Sequence, residues 1–284
     1  MSDTRISNAL TIDVEDYFHV NAFKNYINAD QWDNYPVRVK DNTLIILDLL
    51  DEFSVKATFF VLGWVADRCP SVVREIKEKG HEIACHGYAH ELIYNISPER
   101  FREDIRRSKA LLEDISGAGV HGYRAPTYSI TKNSLWALDI LIEEGFLYDS
   151  SIFPIYHDTY GIPESNRFFH ILNRPFGTIK EFPMSTFQFG VGGFKYRMPV
   201  AGGGYLRLFP EWVLRKSIYY INTHEGQPVV IYFHPWEIDH EQPRIQAGFR
   251  SRFRHYINLD KTLNRVRNLL TSFRFAPMQE VLGI

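Results

Sequence analysis

Four short stretches of this chain gather residue types that can do chemistry. In His86-Gly87-Tyr88-Ala89-His90, two histidines stand four apart. On one face of a helical turn, that spacing aims both imidazoles at a single metal ion. In Thr11-Ile12-Asp13-Val14-Glu15-Asp16, an apolar run ends in three acids within four positions. Carboxylates so close repel one another, and a metal or a shared proton resolves the conflict; the alternative is a cluster capping a helix N-terminus. Gly122-Tyr123-Arg124-Ala125-Pro126-Thr127-Tyr128 offers an arginine able to pair with a carboxylate, or to form a structural salt bridge. Val229-Val230-Ile231-Tyr232-Phe233-His234-Pro235-Trp236-Glu237 is a buried strand delivering one histidine. A lone histidine is often structural, but the four stretches together hold ligands for a metal, an open position for water, a base and an acid. Those are the parts of metal-assisted hydrolysis.

The elements that must position these residues are legible as a pattern. Short β-branched runs at Ala9–Asp13, Ala57–Leu62, His81–Ala84, Gly119–Tyr123, Ile179–Phe182, Val229–Phe233 and Ser272–Ala276 read as strands. Helical patterns lie at Thr43–Phe53, Val72–Lys79, Pro98–Ile115, Lys132–Glu144, Pro210–Thr223 and Leu259–Leu270. Ser97-Pro98 reads as an N-cap with proline at the first helical position, and Gly80 and Gly145 read as helix ends. Alternating strands and helices with short connections imply parallel strands and right-handed crossovers. Six or seven such units favour a distorted (β/α) barrel of about seven parallel strands, with an open doubly wound sheet as the alternative. All four chemical stretches then fall at C-terminal strand ends, where barrel enzymes place their sites. The chain reads as one domain over residues 1–284. Gly- and aromatic-rich residues 153–208 form an irregular insertion near the barrel mouth, with room for a β-hairpin, and residues 241–284 a C-terminal extension. Phe187, Tyr196 and Tyr205 are expected to face sugar from that insertion. The basic run Arg250-Ser251-Arg252-Phe253-Arg254-His255 either reaches back to the mouth or is solvated surface.

Composition narrows the classes. The chain has 284 residues and a formal net charge of −2, so electrostatic capture of nucleic acid is not expected. No run of about 18 apolar residues occurs, so no membrane span is expected. The opening MSDTRISNALTIDVEDYF contains no apolar stretch of export-signal length, which gives a cytoplasmic expectation. Cys69 and Cys85 make no disulfide framework, and Cys85 reads as a buried, inert thiol. Aromatics reach 15%, which suits sugar stacking and a large core equally. Nothing in the sequence specifies an oligomeric state.

The blocks TIDVEDYFHV, GHEIACHGYAHE, GYRAPTYSIT, GGGYLRL and YFHPWEID together resemble the NodB-type polysaccharide deacetylases, carbohydrate esterase family 4. The resemblance covers residues 8–240 and is greatest to the branch encoded with exopolysaccharide and exosortase genes. It implies removal of N-acetyl groups from an amino-sugar polysaccharide with the aid of a divalent metal, zinc by preference. On this resemblance Asp13 is the base, His86 and His90 are metal ligands, Arg124 tunes the base, the Thr127 N–H forms the oxyanion hole and His234 is the acid. The family's adjacent second Asp is replaced by Val14, so Glu15 becomes the acidic ligand, with Asp16 as the alternative. Strand alternation agrees, since residues 13 and 15 face the same side. Tyr128, Tyr205 and Trp236 are candidate substrate contacts. The family's Asp–Trp pair, whose Asp orients the acid histidine, is absent, leaving Asp149 or Glu237 to orient His234. Two rivals remain: hydrolysis of another C–N bond, as in allantoinase-like relatives, and a non-catalytic carbohydrate-binding protein.

Overall fold

The computed structural model describes residues 6–192 and 194–284; the first five residues of the stretch read for an export signal lie outside them. Its strands are β1 (Ser7–Val14), β2 (Thr58–Val61), β3 (Glu82–Cys85), β4 (Gly122–Tyr123), β5 (Tyr148–Asp149), β6 (His170–Arg174), β7 (Gly177–Glu181), β8 (Thr186–Val191), β9 (Phe194–Pro199), β10 (Val230–Phe233) and β11 (Arg274–Ala276). The helices are α1 (Val39–Glu52), α2 (Gly63–Arg68), α3 (Pro70–Glu78), α4 (Pro98–Ser116), α5 (Trp136–Glu143), α6 (Gly204–Leu208), α7 (Glu211–Thr223), α8 (Phe249–Tyr256), α9 (Leu259–Ser272) and α10 (Met278–Val281).

The main sheet runs β10-β1-β2-β3-β4-β5-β7-β6. From β10 to β7 every neighbour is parallel, while β6 turns back antiparallel on β7. Chain from beyond β7 covers the free edge of β10. Tyr232 N–H donates to Ala201 O at 2.8 Å, Gly203 N–H to Tyr232 O at 2.9 Å and Val230 N–H to Ser185 Oγ at 2.7 Å. The approach at this seam is too close for a side chain. A Cβ on Gly202 would lie 1.8 Å from the Tyr232 carbonyl oxygen, so only glycine fits. The result is a distorted (β/α) barrel.

Period-two alternation sorts the strands into two cores. Leu10, Ile12, Val14, Phe59, Val61, Ile83, Cys85, Ile231 and Phe233 face the helices. Ala9, Phe60, Ala84, Tyr148, Val230 and Tyr232 face the interior. Thr11 and Asp13 continue the interior row of β1, and His86 and His234 lie one step beyond the interior rows of β3 and β10. Alternation thus carries the acid and both histidines to the same end of the barrel.

Several helix ends match expectation. Ser97 Oγ accepts Arg100 N–H at 3.2 Å, capping α4, and Gly117 closes it with φ +62°. The two-residue strand β5 was not anticipated, because two residues carry no alternation to read. α2 is also short, with six residues, and offers little helical period to read. The insertion does contain a hairpin, β8–β9. In the C-terminal segment, β11 pairs in parallel with the start of β1, Ser7 opposite Arg274 and Ala9 opposite Ala276. Among the described residues, no helix is long and apolar enough to cross a membrane.

Candidate active site

At the C-terminal mouth, Glu15, His86 and His90 each offer one ligand atom, all within 4.8 Å of one another. Glu15 and His86 are buried, and His90 is partly buried with its side chain turned inward. The two histidines do not share a helical turn, as their spacing suggested. They sit in a loop bent by left-handed backbone at Gly87 (φ +73°) and His90 (φ +52°). The loop is held from three sides. Asp104 Oδ2 and Oδ1 accept the N–H groups of Tyr88 and Ala89 at 2.7 and 3.1 Å. Ser108 Oγ donates to Gly87 O, and Gly63 and Trp64 donate to the carbonyls of Gly87 and Tyr88. Both Asp104 and Ser108 lie on the stripe of α4 that also buries Phe101, Ile105 and Leu112. An acid on an apolar stripe was the available signal for this support, and sequence reasoning missed it.

Three observations fit this cluster to a metal. His86 Nδ1 lies 2.8 Å from the carbonyl oxygen of Arg124, so Nδ1–H donates there and Nε2 keeps its lone pair. Burial, partly offset by Asp13, holds the His86 pKa down at about 4, which keeps it neutral. Glu15 Oε2 lies 2.7 Å from His90 Nε2, yet it is buried and accepts no aligned hydrogen bond. Such groups converge on a common point rather than on each other. One carboxylate oxygen and two imidazole nitrogens are a donor set for zinc and similar divalent ions.

Of the two acids weighed as ligand, only Glu15 faces the histidines. Asp16 accepts Tyr17 N–H at Oδ1, and the N–H groups of Arg38 and Val39 at Oδ2, which caps α1. Capping, the alternative reading of the acid cluster, is therefore the position of Asp16 alone. The second oxygen of Glu15, Oε1, accepts Trp236 Nε1–H at 3.1 Å. Trp236 is itself buried, stacked on His255 with ring centroids 4.2 Å apart. It lines the pocket with its polar atom committed to the carboxylate.

Beside the cluster, Asp13 and His234 approach to 4.0 Å, Oδ2 to Nε2. Asp13 Oδ1 accepts Arg124 Nη1–H at 2.6 Å. Arg124 is fully buried, and Nη1 also donates to Thr11 Oγ1, Nη2 to Ser150 Oγ and Nε to Ser150 O. Its guanidinium carbon lies 4.1 Å from the Phe60 ring centroid. A buried pair of this kind fixes position more than it stabilises, but removing one partner strands a charge at a cost of about 3–5 kcal/mol. Glu237 orients His234: its Oε1 accepts both His234 Nδ1–H and the His234 backbone N–H. The other oxygen accepts Arg207 Nε–H, and Arg207 Nη1 donates to the carbonyls of His255 and Ile257. Asp149, the other candidate, lies instead against Ser151 and Glu181. Burial works against a charge on His234, but Glu15, Glu237 and Asp13 outweigh it and push its pKa up to about 9. Backbone at Thr127 and Tyr128 is left-handed, φ +54° at each. For a β-branched residue that is a strained conformation, of the kind that persists at functional sites.

Residues 29–141 match the family described as polysaccharide deacetylase, and residues 150–283 match a domain of unknown function (DUF3473). Over residues 29–141 the chain is thus similar to the polysaccharide deacetylases. A peptidoglycan-N-acetylglucosamine deacetylase of Bacillus cereus is 35% identical over 95 residues, 33% of this chain and 34% of the relative. The chain thus spans about a third of the length of the curated relatives it matches. Two solved structures share the fold. One, described as a polysaccharide deacetylase from Mycobacterium smegmatis, has a TM-score of 0.61 at 20% identity, covering 98% of this chain and 90% of that one. The other, Puue allantoinase, has a TM-score of 0.63 at 15% identity, covering 98% and 89%. One fold thus carries names with different substrates, and the site must decide between them.

The pocket over the site has a cavity volume of about 160 Å³ and is lined by Asp13, Glu15, His86, His90, Thr127 and His234, among others. It continues through Val20, Asn21 and His90 into a cavity of about 270 Å³. Through Asn21, Thr127, Tyr160 and Tyr232 it continues into one of about 530 Å³. Tyr128 lines the central pocket and Tyr205 the larger neighbour. Phe187 and Tyr196 are not at the cleft. They lie on the β8–β9 hairpin, where Phe187 packs edge-on against Tyr220 of α7 and Tyr196 stacks on Phe189. A hairpin's alternation shows that its aromatics share a face but not which neighbour that face meets. Arg254 lines the larger cavity and Arg250 does not.

Proposed function

We propose that this protein is a metal-dependent N-deacetylase of amino-sugar polysaccharides. The observation that carries the reading is the Glu15–His86–His90 cluster with Asp13 and His234 beside it, over one pocket. A divalent metal held by those three residues would polarise the acetamide carbonyl and acidify water. Asp13, with Oδ1 pinned by Arg124, has Oδ2 free to take the proton of the attacking water. The Thr127 N–H, turned by its left-handed backbone, is the candidate donor to the developing oxyanion. His234, held by Glu237, is protonated at neutral pH and gives its proton to the departing sugar amine. Water and an N-acetyl sugar thereby yield acetate and a free amine.

The continuous groove supports a chain substrate over a small one such as allantoin, for which a closed pocket would be expected. We read the substrate as an exopolysaccharide and the metal as zinc. The first is supported by the sequence blocks quoted above and the second by the Glu/His/His donor set. Pairing of β11 with β1 supports treating the chain as one domain. Acetate release from N-acetylglucosamine oligomers, assayed with chelator and after adding back zinc, tests the reading. Turnover that stops with chelator and returns with metal is expected. Hydrolysis of allantoin without acetate release from any N-acetylated oligomer would overturn it.

A further inference from the structure

The largest cavity of the groove adjoins the acetamide pocket and shares Thr127, Tyr160 and Tyr232 with it. Its walls have a specific chemistry. Tyr160 and Tyr205 face each other with hydroxyl oxygens 3.2 Å apart. The Tyr160 ring is stacked on His157, with centroids 3.8 Å apart at 9°, and on Phe153 at 5.8 Å and 12°. Tyr205 is stacked on Phe209. These are stiff, amphipathic surfaces of the kind on which sugar rings pack.

The cavity also holds a cation without a partner. Arg254 is exposed and lines it, and among the described residues Arg254 forms no ion pair. Among the described residues, Asp158 is the only carboxylate in the lining. Its side chain is 77% exposed and lies against His157 rather than Arg254. Arg254 is not on a loose segment. Arg207 donates to the carbonyls of His255 and Ile257, on either side of Tyr256 and just beyond Arg254. The same guanidinium grips Glu237, which orients His234. One buried arginine therefore sets the distance between the Arg254 backbone and the acid histidine.

We propose that this cavity is a subsite for an acidic sugar unit, whose carboxylate pairs with Arg254 while its ring packs on Tyr160 and Tyr205. The inference rests on the deacetylase reading and narrows its substrate to a polymer in which N-acetylated and carboxylated sugars are neighbours. A guanidinium fork matches a carboxylate with two parallel hydrogen bonds. A phosphate or pyrophosphate carries more charge than the single cation here balances.

The test uses the metal-loaded full chain and two probes of equal length. One is a tetrasaccharide alternating N-acetylglucosamine with glucuronate, the other a tetramer of N-acetylglucosamine. The expected result is a kcat/KM higher by about tenfold on the alternating probe, shrinking as salt rises. Arg254→Gln should bring that ratio close to one. Arg250→Gln, on the same helix but outside the lining, should keep it. Turnover of both probes at equal rates by the unmodified protein overturns the acidic subsite and leaves the deacetylase reading standing. A ratio unchanged by Arg254→Gln overturns the role of Arg254. If neither probe is deacetylated, the deacetylase reading fails. Calorimetric binding of the alternating probe then decides the cavity separately, since it must still weaken in Arg254→Gln. Binding of UDP-N-acetylglucosamine that depends on Arg254, with none of the alternating probe, would assign the anion to phosphate and overturn the carboxylate.

Discussion

Two pairs of buried carboxylates sit within this one barrel and meet opposite fates. Asp13 and Glu15 stand at the mouth, with His86, His90, His234 and Arg124 around them. Asp149 and Glu181 stand opposite each other on β5 and β7, with serine and backbone groups against them and the Arg124 charge as only a minor influence. Burial works to raise the Glu15 pKa, but His90 and His234 outweigh it and hold the carboxyl below the usual carboxylate range. At Glu181, burial and then the Asp149 charge act together and hold the carboxyl well above that range. Asp149 is raised as well, by burial first. The second pair is therefore held toward the protonated form, while Glu15 is a bare anion ready for a cation. Burial is common to both; the neighbours decide the charge.

The largest break in this contrast comes from emptying the mouth. Glu15→Ala should remove bound metal and lower acetate release by about 10³-fold or more. Elemental analysis alongside the assay checks it, and a variant that keeps its metal would assign that ligand elsewhere.

Glu237→Gln comes next. It keeps the shape but weakens the acceptor behind His234, so kcat should fall about 10–100-fold. Loss of an acceptor lowers the His234 pKa, and the acid must be protonated to act. The alkaline limb of the pH–rate profile should therefore move to lower pH. A cation on Glu15 would quench that residue's share of the shift, leaving Glu237 as the main support in the loaded protein. A profile that does not move would assign the orientation of His234 to another group.

Trp236→Phe should weaken metal binding by about tenfold through loss of the N–H to Glu15, read by competition with a chelating dye. Unchanged affinity would make the tryptophan a wall and nothing more.

The smallest effect belongs to the Asp149–Glu181 pair. Because the folded protein holds a proton that the unfolded chain gives up above its ordinary carboxyl pKa, stability is full below that value. It is lost as pH climbs toward the folded value. Glu181→Gln removes the need for that proton. The variant should be more stable at pH 8 by about 1 kcal/mol, a rise of about 2–4 °C in Tm, with the gain fading toward pH 4. Equal Tm differences at both pH values would mean that the pair is not held toward the protonated form.

These two sites also mark what the sequence could tell. Asp13, His86, Arg124 and His234 were legible because each sits at or just past the end of a hydrophobic strand, and strand ends are local features. Glu15 followed from the family resemblance, with which strand alternation agreed. Glu237 was visible as an acid three residues after His234. Arg207, which holds Glu237, lies 30 residues earlier on another element, and no local pattern links them. The Asp149–Glu181 pair was equally silent, because it exists only through the register of two strands, which sets Asp149 opposite Glu181. The misplacement of Phe187 and Tyr196 has the same root, since a strand's composition does not name the surface it will meet.

One consequence concerns the order in which the chain is made. β1 is made before the other strands of the barrel and carries Asp13, with Glu15 just beyond its end. The edge it shares at Ser7–Ala9 is taken by residues 274–276, and the barrel floor is capped when Met278 and Gln279 donate to Thr58 and Glu82. During synthesis, that edge has no native partner until residues 274–276 have been made. Early-made strands must therefore wait with hydrogen-bonding groups open, the condition in which wrong pairings are made. Closure of the β1 edge is thus a late event, reached only once residues 274–279 have been made.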